Sequence, residues 1–341
     1  MSTLIEQFEA LLAQMAPAIR RAFLDAVQDV VDNAILAQVV DAIKRNDVQA
    51  AFDALGYTPP AFNPMTLALT NAFQQGGLMM MATFPKYTTG LSGMKSPLRF
   101  DIRDERTEKW LSERSAALVT GIEDDIRQTV RDTMVRGMQE GRNPNNVALD
   151  IVGRFNPQTR QREGGVVGLG SREEGWAASA RAKLLSLDES YFELGLRDKR
   201  FDKTVRAAID AGKPLPLETV DKLVNQYRSS ALRFRGEGIG RTEALAALNR
   251  SEFEATQQAL AQSALPDSAA EKVWETAGDN RVRQTHREMD GQTVGLNEAF
   301  TTPEGSKMMH PGDGSLGADA AEIVGCRCHV RYKIDFFAGV S

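Results

Sequence analysis

The stretch E-I-V-G-C-R-C-H-V-R-Y-K-I, residues 322–334, decides how the chain divides. Its second half, H-V-R-Y-K-I (329–334), has the β-compatible alternation of a strand, in a chain otherwise dominated by helix formers. Its first half holds Cys326 and Cys328, the only two cysteines in 341 residues, followed by His329, one of three histidines. The other two, His286 and His310, lie in the same C-terminal window, and no Cys or His precedes residue 286. Thiolate and imidazole together suit Zn²⁺, which takes four such ligands tetrahedrally in structural sites. The expected ligands are His286, His310, Cys326 and Cys328, with zinc acting as a structural cofactor. His329, on a strand, points away from Cys328 and ranks lower. The alternative is a pair of buried thiols with histidines bonded to backbone groups. Cysteines one residue apart close too small a ring for ordinary disulfide geometry, which points to a reducing cytoplasm.

Working outward, K-V-W-E-T (272–276) and Q-T-V (292–294) are further strand pieces among frequent glycines. Upstream the pattern is helical. Leu4, Ile5, Phe8, Leu11, Leu12 and Met15 repeat at helical spacing, and so do Trp110, Leu111, Leu118, Ile122, Ile126 and Val130. The fold class is therefore mainly α: an elongated helical body followed by a small C-terminal α+β domain stapled by zinc. Three consecutive regions are expected: 1–100, an N-terminal helical region; 101–265, the helical body; and 266–341, the α+β domain. Residues 61–100 read as less regular, with a buried or partner-facing Met79-Met80-Met81 and a loop over 88–97. Residues 154–171 read as a loop or short hairpin. Two helices are expected near the end of the body, Leu217–Phe234 and Gly240–Ala264, separated by glycines.

The formal net charge of −5 argues against a dedicated nucleic-acid binder, so any DNA contact must be local. Two basic patches qualify, one with Arg197, Lys199 and Arg200, the other with Arg228, Arg233 and Arg235. They would contact phosphates without reading sequence. No apolar run reaches the roughly 18–20 residues of a membrane span, and the start lacks the basic n-region of a secretory signal. Phosphate-loop and nucleophile-elbow patterns are missing, and G-E-G-I-G-R (236–241) follows a helix, unlike a dinucleotide fingerprint. His286, Asn297 and His310 resemble the His-Asn-His set of small metal-dependent nucleases, which supplies the enzymatic alternative. His286 lies in a helical turn, however, where that set uses a strand, and no enzyme activity is expected.

G-I-G-R-T-E-A-L-A-A-L-N (238–249) resembles the R-T-E helix of phage head-morphogenesis proteins of the Mu protein F-like family. K-V-W-E-T-A-G-D-N-R-V-R-Q-T-H-R-E-M-D-G (272–291) is similar to that family's Trp…Asp-x-Arg-x-Arg-x-x-His…Asp-Gly signature, and G-C-R-C (325–328) to its closing Cys-Arg-Cys. Gly325 stands where Asn is common, and His310 where an aromatic is often found. The resemblance implies a minor head protein present in several copies per virion, in the head interior or at the portal vertex, after assembly in the host cytoplasm. Its implied partners are the portal protein, capsid or scaffold proteins and packaged double-stranded DNA, and its implied roles are head assembly, DNA packaging or DNA delivery. Arg241 is expected to pair with an acid of the C-terminal domain, Asp279 or Asp290. An Arg–Thr–Glu site resembling ADP-ribosyl transfer lacks a visible acceptor pocket.

Overall fold

In the computed structural model, which describes residues 3–89, 95–336 and 338, the first apolar stripe becomes helix α1 (Leu4–Asn33). It is followed by α2 (Leu36–Lys44), α3 (Val48–Asp53), α4 (Asn63–Met81) and a hairpin of β1 (Tyr87–Thr89) with β2 (Lys95–Pro97). Then come α5 (Glu105–Gln139), α6 (Pro144–Val152), the hairpin β3 (Arg154–Asn156) with β4 (Gln161–Glu163), α7 (Ser171–Leu185), α8 (Asp202–Asp210) and α9 (Leu217–Gln262). The C-terminal part adds β5 (Ala270–Thr276), α10 (Gln284–Glu288), β6 (Thr293–Gly295), β7 (Phe300–Thr301), β8 (Lys307–Met308), α11 (Ala320–Ile323) and β9 (Cys328–Ile334). The fold is mainly α with small sheets, as expected.

Two local expectations are corrected. α9 runs unbroken from Leu217 to Gln262 where two helices were expected. Gly240, expected to open the second of them, lies inside α9: a Cβ there would collide with the carbonyl oxygen of Ala16, so the glycine lets α9 lie against the main chain of α1. The same device operates in the region read as irregular, which contains α4. A Cβ at Gly77 would strike the ring of Phe100. Met80 and Met81 are buried and Met79 packs against the core, so this run is an ordinary buried segment. Of the loop expected over 88–97, residues 90–94 lie outside the described residues, and its flanks pair as β1 and β2.

The described chain groups into two compact units, neither of which follows the expected divisions at 100 and 265. One comprises Met1–Arg20, Met65–Ser115 and Glu237–Ser341; the other comprises Arg21–Pro64 and Ala116–Gly236.

In the first unit β6, β5 and β9 form an antiparallel sheet in the order β6-β5-β9, with Trp274 opposite Val330 and Thr276 opposite Cys328. Its apolar face does not close on itself. Trp274, Phe300, Cys326, Cys328 and Val330 share one core with Phe8 and Leu12 of α1, Phe73 of α4 and Leu245 and Leu248 of α9. The helices thus supply the core that a short glycine-rich segment lacks.

The second half of α9 is buried on nearly every side, polar positions included. Glu252 is 1% exposed, and neither carboxylate oxygen has a hydrogen-bond partner. Burial pushes its pKa well above the ordinary carboxylate range, and the buried Tyr332 hydroxyl is likewise unpartnered. A carboxyl raised in the folded state costs nothing below its unfolded pKa of about 4.3 and destabilises progressively as pH climbs toward its folded pKa. Glu252→Gln should therefore match the parent near pH 4 and exceed it by on the order of 1–3 kcal/mol at pH 8, measured by urea unfolding. Parallel pH–stability curves for the two proteins would refute this.

The second unit has its own core, from Ala177, Ala180 and Leu184 of α7, Tyr191, Val205 of α8, and Val220, Leu223, Val224 and Tyr227 of α9. Beside it lies a buried ion network. Arg228, 5% exposed, donates two hydrogen bonds to Glu174, at 2.8 and 2.9 Å, and lies 3.7 Å from Asp150. Arg136 also bonds Glu174, while Arg142 and Arg154 bond Asp150.

Candidate metal centre

Three of the four expected ligands meet in the first unit. His286, Cys326 and Cys328 are 1, 1 and 2% exposed. Nδ1 of His286 lies 3.4 Å from Sγ of each cysteine. Among the described residues these three form a group whose ligand atoms all lie within 4.8 Å of one another. For a tetrahedral zinc with Zn–S about 2.3 Å and Zn–N about 2.05 Å, neighbouring N and S atoms sit about 3.5–3.6 Å apart. The observed spacing fits that geometry closely, and the donor set fits zinc chemically.

The residues around the group explain its shape. Thr242 of α9 accepts the N–H of Gly325 at 3.1 Å, and Gly325 takes a φ of +67°, turning the chain into Cys326. Glycine and asparagine both tolerate that left-handed backbone, which accounts for the exchange noted at this position. β9 begins at Cys328, opposite Thr276, whose N–H donates to Asp290 at 2.8 Å. Arg283 donates to the carbonyls of Glu322 and Val324, tying the start of α10 to the segment that leads into Cys326. Asp279 receives both Arg327 and Arg281. Asp279, Arg283 and Asp290 of the 272–291 signature thus brace the turn that carries the thiols.

Behind His286, Nε2 lies 2.8 Å from Oε2 of Glu322, close enough for an ion pair but not aligned as a hydrogen bond. Carboxylates in this position orient metal-binding imidazoles. Trp274 meets the imidazole ring edge-on, with centroids 5.2 Å apart. Sequence reasoning passed over Glu322; its signal was its place four residues before Cys326, where a short helix can turn it back toward His286. A hydrogen bond from the Cys328 thiol, with His286, draws the Cys326 pKa down, and the same bond, with burial, pushes Cys328 up.

The other histidines sit elsewhere. His310, expected as a ligand, does not join the group. Its Nδ1 lies 3.1 Å from the Pro311 carbonyl, and burial drives its pKa down to about 4. It belongs to a closed turn in which Asp313 accepts the N–H of Met309, whose carbonyl in turn accepts Lys272. Chain proximity had suggested a ligand, but the turn directs this ring into its own loop. His329 pairs with Glu275 at 3.1 Å and packs on Phe8, away from the thiols. Asn297 is bonded to Gln257 and Asp267, so the His-Asn-His reading finds no common site.

Arg241 pairs with neither Asp279 nor Asp290. Asp279 is occupied by Arg281 and Arg327, and burial together with those two cations draws the Arg241 pKa down. Glu243 instead holds Arg114 through two bonds of 2.7 and 2.8 Å. The R-T-E triplet is thus divided, with Thr242 on the Gly325 turn and Glu243 on α5.

In the second unit the expected DNA-contacting residues differ sharply in availability. Arg228 is buried against Glu174 and Asp150, which removes it as a phosphate contact. Arg197 pairs with Asp202, and Arg235, 11% exposed, with Asp125. Arg200 is exposed but holds Asp198. Lys199 and Arg233 are exposed. Counting charges along the sequence overlooks that most of these cations already face acids.

Fold and site together define a mainly helical protein whose C-terminal segment carries a buried Cys-x-Cys and His group. Residues 199–331 match the family described as Phage Mu protein F like protein. The match takes in His286, Cys326 and Cys328. Among curated proteins, minor head protein GP7 of Bacillus phage SPP1 is 32% identical over 81 residues, which is 24% of this chain and 25% of that protein. The similarity thus spans about a quarter of that relative's length. No solved structure matches.

Proposed function

We propose that the protein is a phage minor head protein that works by binding, in head morphogenesis. The observation that carries this reading is the family match over 199–331, which covers the whole metal group and its supporting residues. The name of the SPP1 relative points the same way. On this reading the portal protein and the capsid interior are the partners, and the protein takes part in assembly, packaging or delivery of DNA. A zinc ion held by His286, Cys326 and Cys328 would cross-link β9, the turn before it and α10. Contact with double-stranded DNA would fall to Lys199, Arg200 and Arg233, through phosphates alone. No described helix is long and apolar enough to cross a membrane.

The nuclease alternative has less support. His286 is buried with one nitrogen toward two thiols and the other toward Glu322, which leaves no ring atom for a phosphodiester.

Mass spectrometry of purified virions and proheads is expected to find the chain in both; its absence from both defeats the proposal. The DNA component is separable. Charge reversal at Lys199, Arg200 and Arg233 should flatten the salt dependence of duplex retardation, and an unchanged slope would remove DNA from the partners.

A further inference from the structure

We propose that the metal centre of the first unit takes its fourth ligand from solution: a single small monodentate anion, seated in the cleft that Cys328 and Arg241 line. This rests on the zinc site proposed above. Tetrahedral zinc takes four donors, and a centre with three protein ligands keeps the fourth position for a species from solution. His286, Cys326 and Cys328 make up the group, and among the described residues no fourth Cys, His, Asp or Glu presents a ligand atom to it. His310, the expected fourth, is bonded within its own turn. Glu322 meets Nε2 of His286 while the thiols face Nδ1, so its carboxylate lies on the wrong side of the ring.

Size and charge select the ligand. The cleft beside Cys328 is walled by Phe8 and Leu12 of α1 and Leu245 of α9. Its volume is about 20 Å³, just above the roughly 10–15 Å³ that one water needs, so only a ligand of that size fits. Two thiolates cancel the charge of Zn²⁺, which leaves the cleft's own charges to set the sign of the ligand. Arg327 is held by Asp279 and His329 by Glu275. Glu9 also lines the cleft, but it is exposed, where water and salt screen it. Arg241 is half-buried, and among the described residues it has no hydrogen-bond or ion-pair partner. Burial, with Arg327 and Arg281 nearby, draws its pKa down, as expected of a cation short of counter-charge. An anion on the metal beside it supplies that charge, and gives the arginine of the R-T-E triplet a role that neither Asp279 nor Asp290 fills.

The test uses the full chain with cobalt(II) in place of zinc. The thiolate charge-transfer band reports the cysteine ligands, and the d–d bands report the whole coordination sphere. Azide is the probe, because it is narrow and binds end-on. It is expected to shift the d–d bands saturably, with cobalt still bound after desalting, while inorganic phosphate, too bulky for the cleft, leaves them in place. Azide affinity should fall about tenfold or more in Arg241→Met, which keeps the apolar stem, at unchanged cobalt content. Ala277→Leu, filling the cleft from its half-buried rim, should abolish the azide response and keep the charge-transfer band. A chain that takes up no cobalt defeats the zinc reading and this proposal together. Cobalt held by both thiolates, with d–d bands indifferent to azide, defeats this proposal alone. So does azide affinity unchanged in Arg241→Met, or phosphate binding as tightly as azide. Bands that move in Glu9→Gln without added anion would put a protein carboxylate in the fourth position and overturn it as well.

Discussion

Protein purified without chelator should carry close to one zinc per chain, and stripping that ion should be among the largest perturbations available. A metal that binds only the folded state stabilises it by about 4.1 kcal/mol when free ion exceeds Kd by roughly a thousandfold. For a domain of this size that is a fall of roughly 8–16 °C in the midpoint on chelation. Cys328→Ser should lie at the chelated midpoint and no longer respond to chelator. The effect is expected to be large because an ion there would join three segments, the start of β9, the turn at Gly325 and α10, whose thiols and imidazole are all buried in the first unit. Both thiols must lose their protons to bind the ion, so the difference between native and stripped protein should shrink as pH falls. Less than about half an equivalent of metal, with a chelator-insensitive midpoint, would refute a structural ion here.

How far this site could be read from the sequence follows from the kinds of signal involved. Cys326, Cys328 and His286 stood out because rare, chemically specific residues cluster in one window, and the structure brings those three together. His310 carried the same compositional signal and went astray because ligand direction is set by a local turn, here closed by Asp313 and Met309. Glu322 was invisible because an acid is common and only the fold aims it. For the fold, strands and helix existence were legible from periodicity. The break expected between Phe234 and Gly240 was not a break, because a glycine at a helix boundary and one that admits a neighbouring main chain look alike in one sequence. The interleaved units were equally hidden: continuous helices such as α1, α5 and α9 contribute to both, and periodicity along one helix does not say which partner each face meets.

The basic patches show the same limit, and Arg228 offers the sharpest test of it. Arg228→Met should destabilise by about 3 kcal/mol, at the lower end of the roughly 3–5 kcal/mol found when a buried ion loses its counterion. The lower end is expected because Glu174 keeps Arg136 and Asp150 keeps Arg142 and Arg154. The loss should depend on pH in a definite direction. Burial alone would raise the Asp150 carboxyl, but Arg228, Arg142 and Arg154 hold it below its usual range. Its contribution is therefore present above the unfolded carboxylate pKa and disappears as pH falls through the folded one. Weakening that clamp costs most at neutral pH, so the urea curves of parent and variant should converge on acidification. Pairing the change with Glu174→Leu should recover part of the loss, since an apolar pair replaces a broken ionic one. A penalty under about 1 kcal/mol at pH 7 would mean that the network is solvated and Arg228 free to act elsewhere. The expected penalty, with duplex retardation unchanged in the folded variant, would assign this arginine to the core of the second unit and leave DNA contact to Lys199, Arg200 and Arg233.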